Sequence, residues 1–191
     1  MMEMSSDDLD SRDAAADGAC ELSLVSALLS ESDIVAVAHK LCRTALMSSS
    51  KSRAAMAFVR FSKHLPDAVV ASKDTLLEIL RSDAHAVVKA LPTVAHAAVQ
   101  SLPLFNSLVE PVQELALRSD IPPGLTAAFL SAIAEMVTTS ERALAYCTVM
   151  LTQVQRVIKI VEEGQEIDKV LSTAVMTLVK TLFRALTAEY G

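Results

Sequence analysis

No tryptophan occurs in this chain of 191 residues, and aromatic side chains make up only 4% of it. A core without large rings must be built from Leu, Val, Ala, Ile and Met. At 52% apolar composition there is enough of them to bury a sizeable one. Glycine is also scarce, at four residues. That is little material for tight hairpin turns or glycine-rich phosphate loops. The three cysteines, Cys20, Cys42 and Cys147, are odd in number and scattered, with no CxxC and no Cys/His cluster. This argues against a disulfide scaffold and against structural zinc, and leads to the expectation of an intracellular, cytoplasmic protein.

Other absences narrow the function. The sequence holds no GxSxG, HExxH, GxxxxGK[ST] or GxGxxG, and no D-x-D-x-D-G calcium loop. No catalytic, cofactor-binding or metal-ligating residue is assigned, and the expectation is that the protein is not an enzyme. The acidic N-terminus resembles neither a secretory signal nor an Arg-rich transit peptide. Residues 90–109 run twenty positions without a formal charge, but they contain Pro92, Pro103, His96, Gln100 and Asn106. Such a span is a poor membrane helix, and no membrane span is expected.

What is present is charge asymmetry and helical rhythm. Residues 1–33 hold nine acids against Arg12 alone, whereas residues 34–89 hold nine Lys/Arg against four acids. Residues 1–20, polar and aperiodic, are expected to form a disordered acidic tail, with 21–191 a single all-helical domain. The apolar spacing predicts helices at 22–29, 33–47, 51–64 and 72–82, capped in turn by Ser30 or Ser32 and by Ser72. Prolines 66, 92, 103, 111, 122 and 123 predict short helices, broken or kinked, between 66 and 123. Proline-free helices follow at 124–138, 140–163 and 165–189, with Ser140 as N-cap and Gly164 as C-cap. No stretch alternates with period two. The fold class expected is therefore all-α, a compact bundle of about eight to nine helices without a sheet. It ends in a long antiparallel hairpin whose arms are each roughly 36 Å long.

Two near-copies, AHAVVKALP at 84–92 and AHAAVQSLP at 95–103, carry His85 and His96 eleven residues apart. On one helix they would share a face but lie roughly 16 Å apart, too far for one metal ion. Solenoid units run about 30–47 residues, so two copies of eleven read as packing segments.

Two candidate surfaces stand out. On 140–163, Leu144, Cys147, Leu151, Val154, Ile158 and Val161 recur at heptad-like spacing. On 165–189, Leu171, Leu178 and Leu182 belong to a stripe wide enough for burial on more than one side. The candidate partner or oligomer interface is thus Leu144, Leu151, Val154, Ile158, Leu171, Leu178 and Leu182. The candidate anionic-ligand patch is Lys40, Arg43, Lys51, Arg53, Arg60 and Lys63, a run with no acid inside it. Phe58 and Phe61, three residues apart, read as core. His39 and Cys42, one helical turn apart beside Lys40 and Arg43, form a weak nucleophile motif. A small buried thiol is the simpler account.

In size and helix count alone the chain resembles compact bundles of the Bcl-2-like fold. The Asn-Trp-Gly-Arg pattern of that family's groove is missing, so no residues carry over. The first reading is a non-enzymatic interaction module: an adaptor, regulatory or assembly protein that binds a protein partner or itself as a homo-oligomer. The alternative is a nucleic-acid-binding protein using the basic 39–64 region, and a Bcl-2-like regulator is a more distant one.

Overall fold

Ser30 is where the described chain begins, and its hydroxyl accepts the Asp33 amide at 3.3 Å to start the first helix. The structure, a computed structural model, describes residues 30–188. The expected acidic tail and the expected helix at 22–29 lie outside those residues. Among the described residues there are ten helices and no strand, so the chain is all-α. They fall into two compact units, with the boundary after Leu104.

The first unit contains α1 (Glu31–Met47), α2 (Arg53–His64), α3 (Pro66–Ala71), α4 (Lys73–Leu80) and α5 (Ala84–Gln100). Helix α1 packs on all four others, and α2 also packs on α5. Leu46, Phe58, Phe61, Leu76 and Leu91 are buried among small alanines such as Ala38, Ala45 and Ala90, which let the helices approach closely. Burying one such large side chain stabilises by about 1.5–3 kcal/mol. Ser52 caps α2, its hydroxyl accepting from the Ala55 amide at 3.1 Å. The expected cap by Ser72 is corrected. Ser72 does sit before α4, but its hydroxyl turns back and donates to the Ala68 carbonyl at 3.1 Å.

Of the prolines expected to break or kink short helices, Pro66, Pro103 and Pro123 fall at helix starts, but Pro92 and Pro111 break nothing and the helices that hold them are long. Helix α5 runs through Pro92 without interruption, started by the Asp83 side chain, which accepts from the amides of His85 and Ala86. Pro92 takes the hydrogen-bond donor away from the Val88 carbonyl. Val88 itself is 47% exposed, on the solvent side of the helix. Pro92 also lies on the helical row of His85, Lys89 and His96, all exposed, where a ring has room. Helix α6 (Leu102–Leu117) likewise contains Pro111. Its first turn is capped by Ser101, whose hydroxyl accepts from the Leu104 amide at 3.2 Å. Pro103 falls in that turn, where amides lack helical partners anyway.

The second unit continues along α6 into α7 (Pro123–Met136), α8 (Ser140–Ala145), α9 (Cys147–Glu162) and α10 (Lys169–Thr187). Helix α7 is its central rod. Beyond the first turn only Ser131 and Glu135 are exposed. Helix α10 packs chiefly along α7, and also touches α8 and α9. The expected burial of α10 on more than one side is therefore corrected. Leu171, Ala174, Val175, Leu178 and Leu182 face inward, while Val170, Met176 and Phe183 stay in water. It is α7 that is enclosed.

The single helix expected over 140–163 is two. The chain breaks at Tyr146 (φ −110°, ψ 7°), a fully buried residue whose ring meets Phe105 edge-on at 5.9 Å. The Ala145 carbonyl, which an unbroken helix would offer to the Val149 amide, accepts the side-chain amide of Gln113. Thr139, one residue before the expected Ser140, is the N-cap of α8. Gly164 does terminate α9. At φ 69° its amide donates to the Val161 carbonyl and the Gln165 amide to that of Ile160, the Schellman pattern.

Candidate interaction surfaces

Helix α9 touches the interior through few residues; only Val149 and Gln153 on it are buried. Their side of the helix includes the half-buried Val157 and Ile160. The heptad-like row lies elsewhere and points to solvent. Leu144 is 64% exposed, Leu151 55%, Ile158 50% and Val161 56%, with Cys147 and Val154 half-buried between them. The residues with the most regular apolar spacing are thus outside the core. The positions that follow Cys147 and Val154, Thr148 and Gln155, are uncharged, as are Met150 and Val157 on the other border. On α9 the row is an apolar strip with uncharged borders up to the Lys159–Glu163 pair near the helix end.

The seven expected interface residues therefore separate. Leu144, Leu151, Val154 and Ile158 lie on this strip. Leu171, Leu178 and Leu182 are core residues of α10 and are closed to a partner in this fold. The exposed residues of α10 were not among those expected. Met176 and Phe183, with half-buried Val179 between them, follow one another at steps of three and four. The signal that distinguishes them is a row of apolar residues beside, rather than within, the leucine stripe. Among the described residues, α10 alone is long and apolar enough to cross a membrane by length and composition.

Beneath the strip lies a polar cluster within the second unit. Gln153 Nε2 donates to the Ala116 carbonyl at 2.9 Å, and Gln113 donates to that of Ala145. Arg142 Nη1 donates to the Met136 carbonyl at 3.2 Å, and its guanidinium stands 4.4 Å from the centre of the Phe105 ring. Each acceptor is at or near a helix C-terminus, where carbonyls lack intrahelical donors. These side chains, Gln153 and Arg142 buried and Gln113 half-buried, thus close the ends of α6, α7 and α8, which is a structural duty. Burial pulls the Arg142 pKa down, opposed by the nearby Tyr146 phenol. Burial likewise pushes the Tyr146 phenol well above its ordinary value. The Tyr146 hydroxyl and Gln153 Oε1 are buried with no hydrogen-bond partner among the described residues.

In the first unit, Lys40, Arg43, Lys51, Arg53, Arg60 and Lys63 are all exposed. Arg43 lies 3.5 Å from Glu78. Phe58 and Phe61 are core, as expected, so they offer no stacking platform to bases. His39 Nδ1 is 3.0 Å from Thr75 Oγ1. Cys42 is fully buried and its thiol is pushed up to about 12 by loss of solvent, the opposite of what a nucleophile needs. Among the described residues no group of three or more His, Cys, Asp or Glu is placed to hold a metal ion. His85 and His96 are both exposed on α5. No family model, curated protein or solved structure matches this chain.

Proposed function

We propose that this protein is a non-enzymatic helical interaction module, an adaptor, regulatory or assembly protein, whose working surface is the α8–α9 strip. The observation that carries the reading is Leu151, Ile158 and Val161 on α9, each half or more exposed at helical steps of seven and three, with exposed Leu144 preceding them at the end of α8. Large aliphatic residues in water forgo about 1.5–3 kcal/mol apiece. A facing helix with the same rhythm recovers that energy by seating knobs into holes. Because charge is sparse along the borders of the strip, nothing there repels a second copy, and self-association is the form to test first. The reading places the protein inside the cell, where unpaired thiols such as Cys42 and Cys147 stay reduced.

Sedimentation equilibrium of the full chain is the experiment. The wild type should associate with rising concentration. Leu151→Glu/Ile158→Glu should be monomeric at every concentration, with unchanged helical circular dichroism. A wild type that stays monomeric, or a double variant that associates as before, would overturn self-association through this strip.

A further inference from the structure

We propose that the basic outer face of α1 and α2 is the docking surface of the chain's own acidic segment, residues 1–29. Helical spacing groups the cations on each of the two helices. Arg53 and Arg60 are seven apart on α2, with Lys63 one turn further, and Lys40 and Arg43 stand one turn apart on α1. The two helices pack on each other and are joined by the five residues 48–52, which include Lys51. The opposite side of α2 is fixed in the core by Phe58 and Phe61, so the cations cannot turn inward. Among the described residues Lys40, Lys51, Arg60 and Lys63 form no ion pair. Among the described residues, no carboxylate is close enough to these four cations to pair with them.

The complementary charge is in the same chain. Residues 1–29 hold seven carboxylates against Arg12 alone. Asp17 is thirteen residues ahead of Ser30 and Asp7 twenty-three. Such lengths span about 20–26 Å as a coil and about 20–35 Å as a helix. Helix α1, at seventeen residues, is about 25 Å long. The acids therefore reach the level of Lys40, Arg60 and Lys63 in either conformation. Attachment also presents them at roughly millimolar effective concentration, which favours this occupant over a free polyanion or the segment of another copy. At physiological salt the screening length is about 8 Å, so the contact is close-range and salt-sensitive. An outside polyanion, whether nucleic acid or anionic lipid, would have to displace it.

Cys20 lies inside the acidic segment and accepts a nitroxide label, whereas Cys42 is sealed in the core. Cys147→Ser removes the remaining half-buried thiol. In the full chain at about 0.01 M salt, where screening extends about 30 Å, the label should broaden the amide signals of Arg60 and Lys63 by more than half. At about 1 M, where it extends about 3 Å, the signals should recover. Lys40→Glu/Arg60→Glu/Lys63→Glu should abolish the broadening at low salt while circular dichroism stays unchanged. The proposal is overturned by any of three results. These are no broadening at low salt, broadening indifferent to salt and charge reversal, or broadening that appears only between label on one copy and isotope on another.

Discussion

Gln153 of α9 and Ala116 of α6 are joined by a 2.9 Å hydrogen bond from the side-chain amide to the backbone carbonyl, both groups buried. The pair explains how a helix with two fully buried residues stays on its unit. Ala116 is in the last turn of α6, where its carbonyl has no helical donor. Gln153 supplies one, and Val149 one turn earlier supplies apolar contact. Removing the amide should leave that carbonyl dry and unsatisfied. Gln153→Ala is expected to cost about 1–3 kcal/mol in urea unfolding. Gln153→Leu should cost less, because it keeps the volume and removes the unpartnered Oε1. Equal losses for the two variants would mean that the bond contributes nothing beyond packing.

Pro92 is expected to weaken α5. Its ring lies on the row of exposed His85, Lys89 and His96, and it denies the Val88 carbonyl a donor. Pro92→Ala restores that donor in a position of high helix propensity. Part of the gain is offset, because alanine leaves the unfolded chain freer. The net expectation is a stabilisation of about 1–2 kcal/mol, read as a higher urea midpoint with unchanged slope. A lower midpoint would show that the half-buried ring packs more than its missing amide costs.

How far the chain could be read before its coordinates depends on what competes with local pattern. Helix positions followed from apolar spacing and caps. Ser30 and Gly164 act through groups within five residues of themselves, and such signals survive folding. Spacing alone leaves open whether Pro92 and Pro111 kink or break their helices, because proline's cost depends on whether solvent reaches the orphaned carbonyl, a tertiary matter. The break at Tyr146 was invisible for a similar reason. It coincides with a hydrogen bond to the Ala145 carbonyl from Gln113, thirty-two residues before that alanine. The heptad-like row of α9 was legible as a row but not as outward-facing. The side that is buried contains Gln153 and so looks less apolar than the side that is not.

That inversion gives a direct contrast between two leucines of the same expected interface. Leu178 is fully buried between α10 and its neighbours, and Leu151 is 55% exposed on α9. Leu178→Ala should destabilise by about 2–5 kcal/mol, the usual cost of emptying a core site. Leu151→Ala in the monomer should stay within about 0.5 kcal/mol of wild type. Thermal unfolding at low protein concentration reads both. Similar losses at the two positions would mean that Leu151 is packed, and would remove it from any accessible surface.

Alkaline pH should expose the burial of Cys42. In the unfolded chain its thiol has the ordinary value of 9.0; in the fold, loss of solvent raises it to about 12. Below pH 9 both states hold the proton and the thiol contributes no slope. Above it the unfolded state releases a proton that the folded state keeps. Stability is therefore lost as pH rises from about 9 towards 12, on the order of 4 kcal/mol across the window. Tyr146, also shifted upward by burial, steepens the same limb. Cys42→Ala removes the thiol's share, so its stability should fall less between pH 9 and 11 than that of the wild type in parallel urea titrations. Native Cys42 should also resist iodoacetamide at pH 8 and react once urea unfolds the first unit. Rapid alkylation of the folded protein at Cys42, or identical alkaline limbs for wild type and variant, would contradict a sealed thiol on α1.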